Sequence, residues 1–351
     1  MHWTKETLVV DPRPSYRYRV VGNRYIPKTR RTTVQSQANE IHVSIVLLHA
    51  TSMFKETFEP FIDHLFESYS SVKQSAGRIL LIDEAWSIEC PNHGQSAILN
   101  AEDMKGENRG ACSIRDYADA TYAYLRGRPG GHDLGRRKLI LVGHSIGAVI
   151  IPYLVQMAPK LAIYSAVLGD PQAGPPTPAS ENFMKIVSDL ALSQQDVWQT
   201  RDNARKSLET HPKQKGWTRQ ARELFLKYAL IPYPSHAFPE PFGFDGVTLA
   251  CAKDHEAFMY RSMAQDNDAY DLLAALYASD IPVHLLYDSS PRPLVANLTP
   301  RLLSCKGMTP TTARPVPAGH MFFQVDPAQA AGLVATTLEY DESAAGIAAR
   351  L

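Results

Sequence analysis

Apolar residues along the chain fall into short continuous runs, alternating with stretches in which they recur every three or four positions. The first pattern predicts buried strands and the second predicts helices packed against them. Ile41 to His49 is the first strong run; Ala50-Thr51-Ser52 breaks it, and Phe58, Phe61, Ile62, Leu65 and Phe66 follow at helical spacing across Thr57 to Phe66. Arg78 to Asp83 is the next predicted strand, and it leads into a turn-rich loop at Pro91 to Ser96. A helix is predicted over Tyr117 to Leu125, a surface turn over Gly127 to Gly135, and interior strands over Lys138 to His144 and Leu161 to Gly169. Ahead of these, the alternation at Tyr16 to Asn23 predicts edge strands, followed by a basic polar stretch.

After Pro171 the alternation stops. Pro-rich loops around 175–178 and from Ile231 to Phe244, with helical stretches at Asn182 to Leu192 and Trp217 to Tyr228, predict an inserted, mainly helical cap. Alternation resumes with a strand at Ile281 to Tyr287, a helical stretch around Pro293 to Leu303, a strand around Met308 to Val316, the turn Pro317 to His320, and a closing helix from Pro327 to Leu338. The expected organisation is a core in two parts, 1–170 and 281–351, around a cap at 171–280. The fold class is α/β, with a mostly parallel central sheet flanked by helices.

The run Leu139 to Val142 passes directly through Gly143-His144-Ser145-Ile146-Gly147 into the small apolar stretch Ala148 to Ile151. A glycine two residues either side of a serine, between a strand and a helix, suits a sharp turn that lifts the Ser145 hydroxyl out of the sheet edge as a nucleophile. Without that role, Ser145 would simply cap the helix. A serine nucleophile needs a base and an acid that orients the base. Among twelve histidines, His320 is placed after the last strand in a Gly-His turn, where a loop reaches back over the sheet. The acid is Asp170, at the tip of the strand after the nucleophile helix, or Asp288, near the end of the strand after the cap; Asp170 is favoured because adjacent strand tips converge. The backbone N–H of Ile146 and that of Thr51 (or Ala50) are the expected oxyanion donors. His49, His144, Phe183, Trp217 and Phe242 are candidates to line the substrate pocket.

Four stretches carry a resemblance. Leu-Leu-His-Ala-Thr at 47–51, Asn-His-Gly-Gln-Ser at 92–96, Gly-His-Ser-Ile-Gly at 143–147 and Gly-His-Met-Phe at 319–322 resemble the α/β-hydrolase superfamily along nearly the whole chain outside the cap. More narrowly, His-Ala-Thr with Lys55-Glu56 soon after, Pro-Asn-His-Gly, and Asp170-Pro171 are similar to fungal peroxisomal hydrolases of secondary metabolism, the mycophenolic acid and AK-toxin hydrolase group. That resemblance implies acyl ester or acyl-CoA thioester hydrolysis by a Ser-His-Asp mechanism, with Asp170 as the acid. Relatives often carry Thr-Gly where this chain has Thr51-Ser52.

Composition narrows the partners. With 36 basic and 36 acidic residues the net charge is zero, so neither nucleic acid nor an anionic membrane is implied. No run of roughly 18 apolar residues occurs, and the polar opening Met1 to Glu6 carries no secretion leader, so no membrane span is expected. Cys90, Cys112, Cys251 and Cys305 are scattered, which predicts free thiols. No metal-ligand spacing or dinucleotide motif is present, and no cofactor is expected. The chain closes on Ala349-Arg350-Leu351, which resembles a peroxisomal address read by the import receptor; the expected compartment is the peroxisome, with the cytoplasm as the alternative. The expected partner is a small acyl substrate, and a CoA ester would bring phosphates toward basic cap residues such as Arg201, Arg205, Lys206, Lys213 and Lys215. Transfer or cyclisation from the same acyl-serine, and a non-catalytic binding protein on the same fold, are the alternatives; a homodimer is left open.

Overall fold

The computed structural model describes residues 1–28, 40–74, 77–104, 111–175, 177–235, 242–290 and 298–339. The tripeptide Ala349-Arg350-Leu351, the part 236–241 of the second Pro-rich loop, the stretch 293–297 and the Lys213 side chain lie outside the described residues.

The chain opens with β1 (Trp3–Val10), β2 (Val20–Pro27) and β3 (Glu40–Leu48). Next come α1 (Glu59–Ser68), the short β4 (Ser71–Lys73), β5 (Ile79–Ile88), α2 (Gly94–Leu99) and α3 (Ile114–Arg126). Strand β6 (Leu139–His144) runs into α4 (Ile146–Val149) and α5 (Ile151–Gln156), and β7 (Ile163–Gly169) follows. The long segment before the next sheet strand holds α6 (Pro178–Ser193), β8 (Val197–Trp198), α7 (Arg201–Glu209), α8 (Arg219–Tyr228), β9 (Leu230–Tyr233), β10 (Gly246–Leu249), α9 (Lys253–Gln265) and α10 (Ala269–Tyr277). The chain then returns through β11 (Val283–Asp288), α11 (Leu298–Leu303), β12 (Thr312–Val316), α12 (Phe322–Val325) and α13 (Pro327–Leu338).

The main sheet has the order β1-β2-β5-β3-β6-β7-β11-β12, with β4 paired to β5. From β5 through β12 neighbouring strands are parallel, while β1 and β2 add an antiparallel edge. Strand β6 is buried along its full length, as a central parallel strand covered by helices on both faces must be. One face packs on α1 and α13; the other packs on α3, α5 and α10.

The outermost strands depart from the sequence reading. The second strand begins at Val20 and runs to Pro27, and the bends around Tyr16 to Tyr18 precede it. Strand β1 carries no apolar alternation, only an exposed polar middle, and it exists because each residue pairs with β2. The segment expected to be helical also contains a three-stranded antiparallel sheet, β8-β10-β9. Its strands are two to four residues long, below what periodicity reveals.

Candidate active site

Ser145 sits between β6 and α4 at φ 53°, ψ −117°, a sparsely populated conformation that costs on the order of 1–3 kcal/mol and is held by its surroundings. Its N–H donates to the Gly169 carbonyl at 2.8 Å. A Cβ on Gly143 would collide with the Gly147 carbonyl and the Ala148 backbone, and one on Gly147 with the Leu48 carbonyl. The close passage of helix over strand therefore excludes side chains at both positions.

Asp170 caps β7 at φ 45° and is completely buried. Its N–H donates to the Leu286 carbonyl at 2.6 Å, and its Oδ1 accepts the Asp288 N–H at 3.0 Å. Its Oδ2 accepts His320 Nδ1–H at 2.5 Å. That bond orients the imidazole through Nδ1 and turns Nε2 away from the carboxylate. Asp288 thus contributes a backbone donor to Asp170, while its own carboxylate is turned to Ser290.

His144 and His49 are structural by their contacts. His144 Nε2–H donates to the His320 carbonyl at 2.7 Å, tying the histidine loop to the residue before the nucleophile. Burial, reinforced by the nearby His320, pushes its pKa down to about 3, so the ring is neutral. His49 donates from Nδ1 to the Ala50 carbonyl at 2.8 Å and accepts the Cys90 N–H on Nε2 at 3.0 Å; burial lowers its pKa to about 4.

The loop after β3 shows how the Thr51-Ser52 departure is accommodated. Ser52 adopts φ 68°, the left-handed region that favours glycine. Its N–H is accepted by His93 Nε2 at 3.0 Å, while His93 Nδ1–H donates to Asn92 Oδ1 at 2.7 Å. Met53 N–H donates to the Ala50 carbonyl at 3.1 Å, and the Thr51 hydroxyl contacts Met259 Sδ at 3.6 Å. Beneath this loop lie the buried Lys55 and Glu89, which the search for catalytic residues did not single out. Lys55 Nζ stands 3.1 Å from Glu56 Oε1 and 3.4 Å from Glu89 Oε2. Burial pushes the Lys55 pKa down, but the two carboxylates outweigh it and the net shift is upward. Glu89 also accepts the Lys55 and Ser96 N–H groups, tying the loop after β3 to α2. The available signal was charge embedded in an apolar stretch, Lys55-Glu56 between Phe54 and Phe58.

A cleft opens between this loop and the segment after β7. Ser52 and Met53 form part of its wall, with Trp198, Trp217, Phe225 and Leu249 opposite. Of the pocket candidates, Trp217 lines it. His49, His144, Phe183 and Phe242 are not among its lining residues, and Phe242 is 48% exposed, stacked on Phe244. The basic residues of this segment are engaged locally: Arg201 with the Leu226 and Leu230 carbonyls, Arg205 with Glu223, Lys206 with Asp202. Among the described residues no helix is long and apolar enough to cross a membrane, and no cluster of three or more His, Cys, Asp or Glu residues could hold a metal ion.

The sheet order, the glycine-flanked serine turn and the buried Asp170–His320 pair define a hydrolase of the α/β type, and the chain belongs to the alpha/beta hydrolase family, whose model matches residues 45–333. Among curated proteins it is similar to the type I acyl-CoA thioesterase mpaH of Penicillium roqueforti, 25% identical over 61% of this chain and 48% of that protein. The Penicillium brevicompactum protein of the same name is 26% identical over 46% of this chain and 34% of its own length. The chain thus spans about half, or less, of the length of the curated relatives it matches. Among solved structures, the peroxisomal alpha-beta-hydrolase Lpx1 of Saccharomyces cerevisiae superposes with a TM-score of 0.68 at 16% identity, covering 96% of this chain and 89% of that one. The thioesterase domain from the curacin biosynthetic pathway superposes with a TM-score of 0.58 at 14% identity, over 95% and 99% of the two chains. At such identities the structural likeness is one of fold.

Proposed function

We propose that this hydrolase cleaves a carboxylic ester or acyl thioester through an acyl-enzyme on Ser145. His320 Nε2 takes the Ser145 proton as Oγ attacks the acyl carbonyl, then delivers it to the departing alcohol or thiol. Water, activated by the same nitrogen, attacks the acyl-serine, and the acid leaves with Ser145 restored. The backbone N–H groups of Ile146 and Thr51 stabilise the oxyanion. Residues 171–280 act as the cap that supplies the acyl-binding wall. The observation that carries the reading is the 2.5 Å bond from His320 Nδ1–H to a completely buried Asp170. A carboxylate with that geometry has the tautomer-fixing role the mechanism needs.

An acyl-CoA thioester is the first substrate to try, because the curated relatives are named for that activity. The compartment to test first is the peroxisome, because a hydrolase of the same fold is named for it; the location of a fluorescent fusion in cells tests it. The mechanism is tested by comparing Asp170→Asn with Asp288→Asn. The first should lower kcat by roughly 10⁴-fold, because an amide permits the wrong imidazole tautomer. The second should remain near wild type, since the Asp288 backbone donor survives. The reverse ranking overturns the assignment.

A further inference from the structure

Three buried side-chain polar atoms, on residues that line the cleft, have no hydrogen-bond partner among the described residues: Trp198 Nε1, Trp217 Nε1 and Gln214 Oε1. Each of these residues is 4% exposed. A fourth group, the Glu256 carboxylate, is 1% exposed in the same wall, where it accepts from Gln194 Nε2 at 2.9 Å and the Tyr260 hydroxyl at 3.3 Å. Glu256 lies on α9 one helical turn before Met259, the residue in contact with the Thr51 hydroxyl. Glu256 therefore stands one helical turn from the residue that touches the Thr51 hydroxyl, and the cleft meets the proposed oxyanion loop at Ser52 and Met53.

Buried polar groups are normally paired, because a donor or acceptor stripped of water and given no partner is costly. Here two donors and one acceptor go unpaired on residues of one cleft, whose lining also holds the apolar Leu208, Phe225, Ala229 and Leu249 and the polar Gln194, Gln195, Ser207 and His211. Their chemistry limits the ligand. The indole N–H groups need an acceptor, and Gln214 Oε1 needs a donor. An ammonium group only donates, and a carboxylate only accepts and would face Glu256. A hydroxyl does both from one atom. Resting on the hydrolase reading above, we propose that the cleft selects an oxygenated acyl group, an apolar body bearing a hydroxyl, over a plain hydrocarbon chain.

The test uses the whole chain with chain-matched acyl thioesters, octanoyl and its hydroxyoctanoyl positional isomers. At least one hydroxylated isomer should exceed octanoyl by about tenfold or more in kcat/KM, because a site built to pair a hydroxyl penalises the analogue that lacks it. Trp217→Phe, which keeps the ring and removes only the N–H, and Gln214→Leu should each reduce that ratio toward one. A folded wild type that prefers octanoyl, or variants that leave the ratio untouched, overturns the proposal. If neither the thioesters nor the matching esters of the series are turned over, the hydrolase reading fails on its own. The pocket is then decided by binding of hydroxyoctanoate against octanoate to Ser145→Ala, read by quenching of tryptophan fluorescence. Preference for the hydroxy acid supports the pocket assignment, and equal or weaker binding refutes it.

Discussion

Ser52 holds a left-handed backbone where a glycine would be at ease, and it does so beside the proposed oxyanion donor. For a residue with a Cβ that conformation costs about 1–2 kcal/mol. Glycine would relieve it but would give the unfolded chain extra freedom worth about 0.5–1 kcal/mol. The two nearly cancel, with relief slightly ahead. Ser52→Gly should therefore shift unfolding free energy by less than about 1 kcal/mol, toward stability, in a urea titration. A large loss would mean that the serine side chain itself holds the loop. The His93 bond to the Ser52 N–H persists in either variant, since it uses only backbone.

The elements around the site are joined by charge as well as by packing. Glu89, at the end of β5, reaches the loop after β3 through Lys55 and the N-terminal turn of α2 through the Ser96 N–H. Removing it by Glu89→Ala strands a buried ammonium beside Glu56 alone and should cost about 3–5 kcal/mol. The triple change Lys55→Met, Glu56→Gln and Glu89→Gln should cost less, because no charge is left unmatched and the glutamine at 89 keeps an acceptor for the Lys55 and Ser96 N–H groups. Thermal unfolding of the three proteins checks the order. These long-range pairs show where sequence reading reached and where it stopped. Interior strands and their helices were legible because burial on both faces writes continuous apolar runs, and β6 with its glycine-bounded serine is the clearest case. Asp170 and His320 were legible from their places at strand ends, and the structure brings them into contact. Strand β1 was not legible, since its polar residues become a strand only by pairing with β2. The small β8-β10-β9 sheet and the unpaired polar atoms of the cleft were hidden too: neither pattern has a period, and both depend on residues far apart in the chain.

Three histidines, His49, His144 and His284, are buried and neutral, with pKa values lowered to about 4, 3 and 4, chiefly by burial. In the unfolded chain each would titrate near 6.5. The unfolded state therefore binds more protons throughout the window between these values, so stability is complete above about pH 6.5 and is lost as pH falls toward 4. Three protons correspond to a slope of about 4 kcal/mol per pH unit in mid-window. Melting temperature should fall steeply between about pH 6.5 and 4, and His284→Gln should flatten the slope. A flat profile over that range would show that the buried rings do not control acid stability. The central claim, an activated Ser145, is tested most directly by intact-protein mass after treatment with a fluorophosphonate, comparing wild type with Ser145→Ala. The account predicts a single covalent adduct on wild type and none on the variant, alongside hydrolysis of an acyl thioester or ester by wild type alone. Folded wild type that takes no label and turns over no acyl substrate would contradict it.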